Sequence, residues 1–405
     1  MARTKRLQAV GPNSCVADGH LTITLPAFLE GELSTGHPWV YRNHIPSGFE
    51  APTGTWVCAV AGRARIWGLW DNDSQIALRV YSFDEKPTAK SIAERVKRAS
   101  HLRRAQLPTE TTAYRLVNGE GDGVPGIIVD VYGEYAVVAT YSRATYTILP
   151  WLVDALSELS LLGILHRRVA GDSEPGISVD VVRGGRPPEN LIVLERGLQF
   201  YADLLQGHKT GQYLDQRDNR MTFSRFASQG AVLNLFSYTG GFSLAAALAG
   251  ATTTSVDISQ PALERARDNF KLNGLDPNNH AFTKMDCFEY LSEAVKGAQR
   301  FNAVVCDPPS LARNRAQLDQ ALKAYLRVNT LGLRLVLDGG FYAAASCTAQ
   351  VSPEAFRHML IQAVSRAQKR AQIVHEAGHA FDHPIAVGHT EGRYLKFVIL
   401  RVFGD

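Results

Sequence analysis

The chain has 405 residues, of which 45% are hydrophobic, so it can bury substantial cores and is long enough for two or three domains. A net charge of +4 permits binding to nucleic acid without requiring it, so any electrostatic argument depends on local clusters. The five cysteines form no CxxC pair, and neither a run of about 18 apolar residues nor an apolar signal segment follows the basic MARTKR start. We therefore expect a cytoplasmic, unexported protein with reduced thiols, no metal site and no membrane partner.

The first part of the chain, up to about residue 88, contains short segments in which apolar and polar residues alternate. Gly, Pro, Asn and Asp separate these segments, a pattern that is typical of a small β-barrel. The segments are LTITL (21–25), TWVCAV (55–60), RIWGLW (65–70) and QIALRVYSF (75–83).

Residues 90–104 predict an amphipathic helix with a basic outer surface. The segment holds six Lys or Arg against one Glu; Ile92, Val96 and Ala99 fall on one helical face, with Leu102 three residues farther on. A solvated helix packed on its own domain and a contact with phosphate groups both fit this pattern. Strand-like segments follow at GIIVDVYGE and YAVVATYS, and then an apolar helix at about 149–162.

After residue 190, strands and helices alternate as in a doubly wound parallel sheet. Ser259 is a candidate N-cap for the helix that Gly274 ends. The further predicted elements are the strand AFTKMD, a helix at 287–296, the strand FNAVVC, a long helix through Leu337, the strand FYAAASCT, a helix begun by Ser352 and Pro353, and the closing strand YLKFVILRV.

The segment VLNLFSYTGGFSLAAALAGATTTSVD (232–257) indicates half of a nucleotide-cofactor site. Gly240 and Gly241 allow close approach of the backbone to a ligand at a helix N-terminus, and Asp257 is placed to accept hydrogen bonds from two ribose hydroxyls. The alternative is a glycine turn that serves helix packing alone. The turn lacks the G-x-G-x-x-G spacing, which argues against a nicotinamide dehydrogenase.

Two further strands end on polar residues. FNAVVC leads into DPPS (307–310), and FYAAA leads into SCT (346–348). Because the ligand crevice of an open parallel sheet lies outside the carboxyl ends of its strands, we expect these residues to converge with Asp257 on one pocket.

An ordered set of motifs resembles one known family. The motifs are LLQGHKTGQYLDQRDNR (204–220), NLFSYTGGFS (234–243), SVDIS (255–259), LNG (272–274), DPPS and SCT, with thinner matches at GHPWVYRNHI (36–45), GDGVPGIIVDVYGEY (121–135) and EGRYLKF (391–397). The set is similar to the S-adenosylmethionine-dependent large-subunit rRNA cytosine-C5 methyltransferases with an N-terminal PUA domain. The resemblance implies an α/β chain with a PUA-like RNA-binding β-barrel at 1–88, a small intermediate α+β domain at 89–190, and a Rossmann-like class I methyltransferase sheet at 191–405, which the closing strand completes as an antiparallel hairpin.

The resemblance also implies the cofactor, S-adenosylmethionine, and the residues that hold it. The first turn would line the methionine and sugar, residues after the second and third strands would hold ribose and adenine, and the 204–220 motif would close the methionine end. The predicted contacts are Phe236, Ser237, Tyr238, Gly240 and Gly241; Asp257, Ile258, Asp286 and Cys287; Gln212 and Asp215; and Asp307 and Pro308.

Cysteine chemistry separates the reactions that such a site could perform. Carbon 5 of cytosine is a poor nucleophile until a thiolate adds to carbon 6, whereas methylation at a base nitrogen needs no cysteine. Cys347, at a strand end and in the matched SCT motif, is the predicted nucleophile, and Asp307 is predicted to interact with N3 of the base. A Cys347 that packs as a small hydrophobe and an Asp307 that caps a turn are the alternatives.

Cys306 is the competing thiol, but strand alternation should turn it away from Asp307 and into the sheet. Some related methyltransferases place a second cysteine directly after the Pro-Pro pair, where this chain has Ser310. The base that removes the proton from carbon 5 is therefore unassigned.

Partner predictions follow from the same resemblance. The expected partner is rRNA, and a homodimer is allowed. Charged residues of the first 88 positions lie beside tryptophans that can stack on bases, although core tryptophans and solvated arginines are the alternative. The predicted RNA contacts are Arg42, His44, Arg63 and Arg65, beside Trp39, Trp67 and Trp70. Guanine nitrogen methylation and a non-catalytic RNA-binding role are the competing functions.

Overall fold

The computed structural model describes residues 15–17, 20–168, 178–207, 210–312 and 315–404. It contains two compact units. The first unit comprises Met1–Glu189, Asp203–Gln212 and Asp382–Gly392, and the second comprises Asn190–Ala202, Tyr213–Phe381 and Arg393–Asp405. The basic start of the chain and residues 208–209 of the 204–220 motif lie outside the described residues.

A sheet of short strands opens the first unit. Its elements are β1 (Cys15–Ala17), β2 (His20–Thr24), α1 (Glu30–Ser34), β3 (Trp39–Tyr41), β4 (Trp56–Ala61), β5 (Ala64–Trp70) and β6 (Ile76–Ser82). The strand order is β1-β2-β4-β5-β6-β3; β2 and β4 are parallel and the other neighbours are antiparallel. The alternating apolar positions, among them Val57, Ile66 and Trp70, form a buried core.

A second sheet with two helices completes the regular structure of the first unit. Its elements are α2 (Ala89–Gln106), β7 (Ala113–Asn118), β8 (Ile127–Tyr132), β9 (Tyr135–Thr140), α3 (Leu149–Leu156), β10 (Gly163–Arg168) and β11 (Ser178–Gly184), and the strand order is β11-β10-β9-β8-β7. Helix α3 ends at Leu156, so the prediction of a helix to about residue 162 was too long. Ser157, Leu159 and Leu161 continue the chain in turn-type hydrogen bonds, and Leu162 N donates to Glu134 O at 2.7 Å.

Helix α2 differs from its prediction at two positions on its last turns. Ile92, Val96 and Ala99 are buried as expected, and Thr88 caps the helix. Arg103, predicted on the basic outer surface, is fully buried and forms a bidentate ion pair with Asp122 at 2.7 Å. Leu102, predicted on the apolar side, is 40% exposed, because the face that packs inward at this level carries Arg103 instead.

The second unit is a doubly wound sheet. Its elements are β12 (Leu191–Glu195), β13 (Leu198–Ala202), α4 (Arg217–Phe226), β14 (Ala231–Leu235), α5 (Gly241–Leu248), β15 (Thr252–Asp257), α6 (Gln260–Leu272), β16 (Ala281–Lys284), α7 (Cys287–Lys296), β17 (Phe301–Cys306), α8 (Leu318–Arg334), β18 (Val336–Ser346), α9 (Pro353–Arg366), β19 (Arg370–Ala377) and β20 (Lys396–Phe403). The main sheet has the order β16-β15-β14-β17-β18-β20-β19, and β12 and β13 form a separate hairpin.

The direction of the strands places several chain segments at one edge of this sheet. Strands β14 to β18 are parallel to one another, whereas β20 is antiparallel to both β18 and β19. The predicted antiparallel closure of the sheet is therefore present. Buried apolar side chains on both faces explain the near-continuous apolar runs of these strands: Leu233 and Val304 belong to one core cluster, and Val232 and Val305 to the other.

The long helix α8 is shorter than predicted. It ends at Arg334, and Val336 already pairs with Phe301 as the first residue of β18. The apolar run LRLVL fits a buried helix and a buried strand equally well, so periodicity alone did not locate this boundary. Ser259 caps α6 and Ser352 caps α9, as predicted.

Of the helices in the described ranges, none has both the length and the apolarity of a membrane span.

Candidate active site

The turn between β14 and α5 has an unusual backbone. Phe236 and Tyr238 adopt positive φ angles of 57° and 48°, which side-chain-bearing residues rarely do. Three successive amide groups hold the turn in this form: Phe236 N donates to Cys287 Sγ at 3.2 Å, Ser237 N to Val256 O at 3.0 Å, and Tyr238 N to Asp257 Oδ2 at 2.8 Å. Backbone strain that is held by several bonds in this way is typical of binding sites.

Both glycines of the turn are packed tightly against neighbouring side chains. A Cβ at Gly240, which has φ +79°, would lie 2.9 Å from the Cβ of Ala266, and one at Gly241 would lie 2.8 Å from Arg220 Cδ. Arg220 is buried and ion-paired with Glu195. Close packing of α5 against its neighbours therefore already requires glycine at both positions, which is the packing explanation that the sequence left open.

The carboxylate of Asp257 lies at the end of β15. Its Oδ2 accepts the Tyr238 amide, and its Oδ1 accepts the amide of Ser259 at 2.9 Å. The side chain is partly exposed, and each carboxylate oxygen can accept more than one hydrogen bond. The next residue, Ile258, has 69% of its surface exposed and presents apolar area beside the carboxylate.

Two predicted contacts after β16 have structural roles. Asp286 caps α7, since its Oδ1 accepts the amides of Phe288 at 2.8 Å and Glu289 at 3.2 Å. Cys287 is buried, donates to Val256 O at 3.7 Å, and accepts the Phe236 amide. Burial raises the pKa of the Cys287 thiol to about 12, so this sulfur stays protonated at neutral pH.

The DPPS and SCT motifs meet because β17 and β18 are adjacent parallel strands. The Cys347 Sγ donates to Pro308 O at 3.8 Å. Cys347 and Asp307 are partly exposed, whereas Pro308 is buried. A thiol with access to solvent therefore lies beside the DPPS segment at the carboxyl edge of the sheet.

Cys306 differs sharply from Cys347. It is fully buried, as strand alternation predicted, and hydrogen-bonded to Tyr342. Burial raises the pKa of the Cys306 thiol well above its usual range. A protonated sulfur inside the sheet cannot act as a nucleophile on a base.

Several residues around Cys347 were not predicted from the sequence. Tyr325 is buried and donates or accepts a 2.7 Å hydrogen bond with Thr348 Oγ1, and burial raises its pKa to about 12. Burial likewise raises the pKa of Tyr213, whose ring packs edge-on against Tyr238 at 5.2 Å. Lys396, the first residue of β20, is buried near the same motif. A tyrosine or lysine in a strand or loop carries no sequence signal of such a position.

The 204–220 motif divides between the two units. Asp215 belongs to the second unit, is buried, and accepts the hydroxyl of Tyr394 at 2.8 Å on its Oδ2. Gln212 belongs to the first unit, where its amide donates to the Tyr132 hydroxyl at 3.2 Å.

Comparison with known proteins identifies the family of this fold and site. The profile of a family described as S-adenosylmethionine-dependent methyltransferase matches residues 162–376, and a PUA-like domain profile matches residues 23–83. A relative from Aeromonas salmonicida (strain A449), named Ribosomal RNA large subunit methyltransferase I, is 35% identical over 383 residues, which cover 92% of this chain and 97% of the relative. The chain belongs to the S-adenosylmethionine-dependent methyltransferase family.

Further relatives of this methyltransferase agree. A protein of the same name from Shewanella denitrificans (strain OS217) is 35% identical and covers 95% of this chain and 100% of its own length. Among solved structures, a methyltransferase in complex with SAH has a TM-score of 0.83 at 24% identity, and an S-adenosylmethionine-dependent methyltransferase from Streptococcus mutans has 0.82 at 23%. Each covers 94% of this chain and 99% of its own, so the similarity of fold is nearly complete.

The methyltransferase has the features that its cofactor requires. Ser237 is buried, and in the described part of the protein its hydroxyl oxygen has no hydrogen-bond partner. Because buried polar groups normally have a partner, this hydroxyl is suited to bind a polar atom of a ligand. The Asp257 carboxylate and the exposed Ile258 suit ribose hydroxyls and an adenine face, respectively. The residues around this turn therefore fit S-adenosylmethionine.

The predicted RNA contacts of the methyltransferase lie in different environments. Arg63 has 95% of its side chain exposed and pairs with Glu30, and Arg65 is exposed with its Nε on Cys58 Sγ at 3.3 Å. Arg42 bonds the carbonyl oxygens of Asp71 and Ser74. Its guanidinium group also lies 4.8 Å above the Trp70 ring. Arg42 therefore stabilises the loop that contains Asp71 and Ser74.

The remaining aromatic groups of this predicted RNA surface are mostly internal. Trp67 and Trp70 are buried, in line with the core alternative. His44 is partly buried and packs edge-on against Phe28 at 5.4 Å. Trp39 is partly buried and donates from Nε1 to Glu120 at 2.8 Å. The exposed basic groups Arg63 and Arg65 are thus the better placed of the predicted contacts.

Proposed function

We propose that this enzyme methylates carbon 5 of a cytosine in large-subunit rRNA through a covalent adduct with Cys347. The close relatives carry a large-subunit rRNA methyltransferase name, which supports the substrate class. The observation that carries the choice of atom is the partly exposed Cys347 thiol beside Pro308 at the carboxyl edge of the sheet. A nitrogen methyltransferase has no use for a thiol in this position.

In this proposal the strained turn and the strand ends hold the cofactor. Phe236, Ser237, Tyr238, Gly240 and Gly241 line the methionine and sugar, Asp257 holds the ribose hydroxyls, and Ile258 covers adenine. Asp286 and Cys287 shape the adenine side, Asp307 and Pro308 lie at the reacting end, and Gln212 and Asp215 close the methionine end. When bound, S-adenosylmethionine supplies an electrophilic methyl group on a sulfonium, which carbon 5 takes while the sulfur keeps the bonding electron pair.

The chain's own residues perform the remaining steps. The Cys347 thiolate donates its electron pair to carbon 6 and forms an S–C6 bond, which moves the C5–C6 π electrons into an enamine and makes carbon 5 nucleophilic. Asp307 favours this addition by sharing with N3 the proton that neutralises the charge placed on that nitrogen, and takes the proton back as carbon 5 is methylated. After methylation, a water molecule takes the proton from carbon 5, the C–H electron pair restores the C5–C6 double bond, and the S–C6 pair leaves with the Cys347 thiolate.

The same proposal divides the chain into domains at 1–88, 89–190 and 191–405. The first would bind RNA through Arg63 and Arg65, assisted by Arg42 and His44 at the rim of the sheet. The exposed basic residues of α2, among them Lys97 and Arg98, extend the positive surface for phosphate contact. We place the enzyme in the cytoplasm, where its thiols stay reduced. The proposed assembly is a homodimer, which sedimentation at several protein concentrations would test.

The decisive experiment is bisulfite sequencing of rRNA from cells that lack the protein. Loss of one 5-methylcytosine, restored by the wild-type chain and not by Cys347→Ser, is the expected result. Nucleoside mass spectrometry on the same rRNA would reveal a lost methylguanosine instead, and that result would overturn the proposal.

A second experiment addresses the adduct directly. RNA that contains 5-fluorocytosine cannot lose a proton from carbon 5, so the S–C6 bond should persist and give an RNA–protein band on a denaturing gel. The band should require Cys347 and should be retained in Cys58→Ser, which leaves the candidate nucleophile unchanged. A band of equal intensity with Cys347→Ser would exclude this sulfur as the attacking atom.

A further inference from the structure

Lys396 combines burial with a position next to the nucleophile's motif. It is 5% exposed and opens β20. Its Cα is the partner of Ser346 in the antiparallel pairing with β18, and Cys347 is the next residue after Ser346. A lysine at this register therefore lies beside the residue proposed to attack the base.

The ammonium group is held firmly. Its Nζ donates to Thr348 O at 2.6 Å and to Tyr394 O at 2.8 Å. Thr348 directly follows Cys347, so one of these bonds fixes the backbone of the nucleophile's own turn. Within the described ranges, these two carbonyl oxygens take two of the three ammonium N–H donors.

Burial of this charge lowers the stability of the fold. It lowers the pKa of Lys396 to about 8, and the charge of Cys347 acts in the opposite direction. A methionine of similar length would fill the same space without desolvation of an ammonium group. A lysine at this position is therefore better explained by an interaction of its charge with another group than by packing.

The other titratable groups that face Cys347 do not supply this task. Asp307 follows β17 and acts with Cys347 on the same two tyrosines, Tyr213 and Tyr325; a carboxylate there can only disfavour a thiolate. Tyr213 precedes α4 and Tyr325 lies on α8; burial raises the pKa of each, so both are neutral at physiological pH. Lys396, in contrast, is a cation whose charge interacts with that of Cys347.

We propose that Lys396 is a positioning residue for Cys347, whose buried ammonium group on the carbonyl oxygens of Thr348 and Tyr394 stabilises the thiolate that attacks the base. The inference rests on the proposed function, because a thiolate matters only if Cys347 is the nucleophile. It assigns to β20 a part in catalysis, in addition to closing the sheet.

The test measures the pH dependence of Cys347 alkylation by iodoacetamide, with rates read from the Cys347 peptide by mass spectrometry. An opposite charge at close range shifts a thiol pKa by about one to three units. We expect Lys396→Gln, which keeps an N–H donor without the charge, to move the midpoint up by at least about one pH unit, with an alkylation rate about tenfold lower below that midpoint. Lys396→Arg should stay near the wild-type midpoint.

Lys271→Gln is the matched control, since Lys271 lies on α6 with 66% of its side chain exposed. It should leave the midpoint unchanged. If Lys396→Gln also leaves it unchanged while the protein remains folded, the lysine has a structural role and the proposal is wrong. Because alkylation needs no RNA, this result is independent of whether 5-fluorocytosine RNA forms an adduct.

A second measurement covers the case in which Lys396→Gln does not fold. The interaction between two titrating groups is reciprocal, so removal of the sulfur must change the titration of the lysine. In ¹⁵N spectra of the lysine ammonium groups, Cys347→Ser should lower the pKa of Lys396. An unchanged Lys396 titration in that variant would overturn the proposal.

Discussion

Replacement of Asp257 by Ala tests the cofactor assignment on a residue with two separable roles. The carboxylate accepts the amides of Tyr238 at 2.8 Å and Ser259 at 2.9 Å. Hydrogen bonds to charged groups contribute about 1.5–3 kcal/mol each, and the partial exposure of Asp257 favours the lower end. We therefore expect the free energy of unfolding to fall by about 3 kcal/mol in the absence of ligand.

Cofactor affinity should fall by a separate amount. Two ribose hydroxyls that donate to the same carboxylate contribute about 1.5 kcal/mol each at the same lower end, or about 3 kcal/mol together. Since 1.4 kcal/mol corresponds to a tenfold change, the dissociation constant should rise about 100-fold.

Isothermal titration calorimetry with S-adenosylmethionine measures the affinity, and urea denaturation of the free protein measures the stability. Asp268→Ala is the control, because Asp268 lies on α6 with 47% of its side chain exposed and should change neither value appreciably. If Asp257→Ala loses stability but binds the cofactor within threefold of wild type, Asp257 supports the turn and does not hold the ribose.

Three further predictions concern stability. Ser259→Ala removes the N-cap bond to the Ala262 amide and should lower the free energy of unfolding by about 1 kcal/mol in urea titrations; no change would show that solvent replaces the cap. Arg115→Met leaves the buried Asp130 carboxylate without its bidentate partner at 2.8 and 3.0 Å and should lower the free energy of unfolding by about 3–5 kcal/mol, whereas a loss below 1 kcal/mol would contradict a buried charge there. In a Cys347→Ser background, the lysine at 396 should make stability rise with pH from below pH 8 up to 10.5. Its folded pKa, about 8 with Cys347 present and lower without it, lies below its unfolded pKa, so the unfolded state binds more protons in this range. Lys396→Met should abolish this rise in urea titrations at several pH values.

The sequence predicted correctly those helices and strands whose capping residues and apolar pattern match the way they pack in the fold. Helix α7 has the predicted bounds, and the caps at Ser259 and Ser352 lie where expected. Strand β15 ends at Asp257, and Asp307 and Cys347 directly follow the apolar strands β17 and β18. The parallel direction of β17 and β18 then brings the last two motifs together.

Other features depend on tertiary contacts that no local pattern contains. Arg103 is buried because Asp122 receives it, and the end of α8 depends on the pairing of Val336 with Phe301. The strained angle at Tyr238 follows from amides fixed by the neighbouring strand. These residues have ordinary sequence surroundings, so pattern and propensity could not distinguish them.

The reversed direction of β20 has a consequence for how this enzyme tolerates change. The first residue of a parallel strand lies at the edge of the sheet opposite the reaction site. Because β20 is antiparallel, its first residue, Lys396, lies instead at the edge where the parallel strands end. An insertion or deletion in the connection just before it should displace the Lys396 ammonium group from Thr348 O and so alter turnover, an effect that the start of a parallel strand would not have.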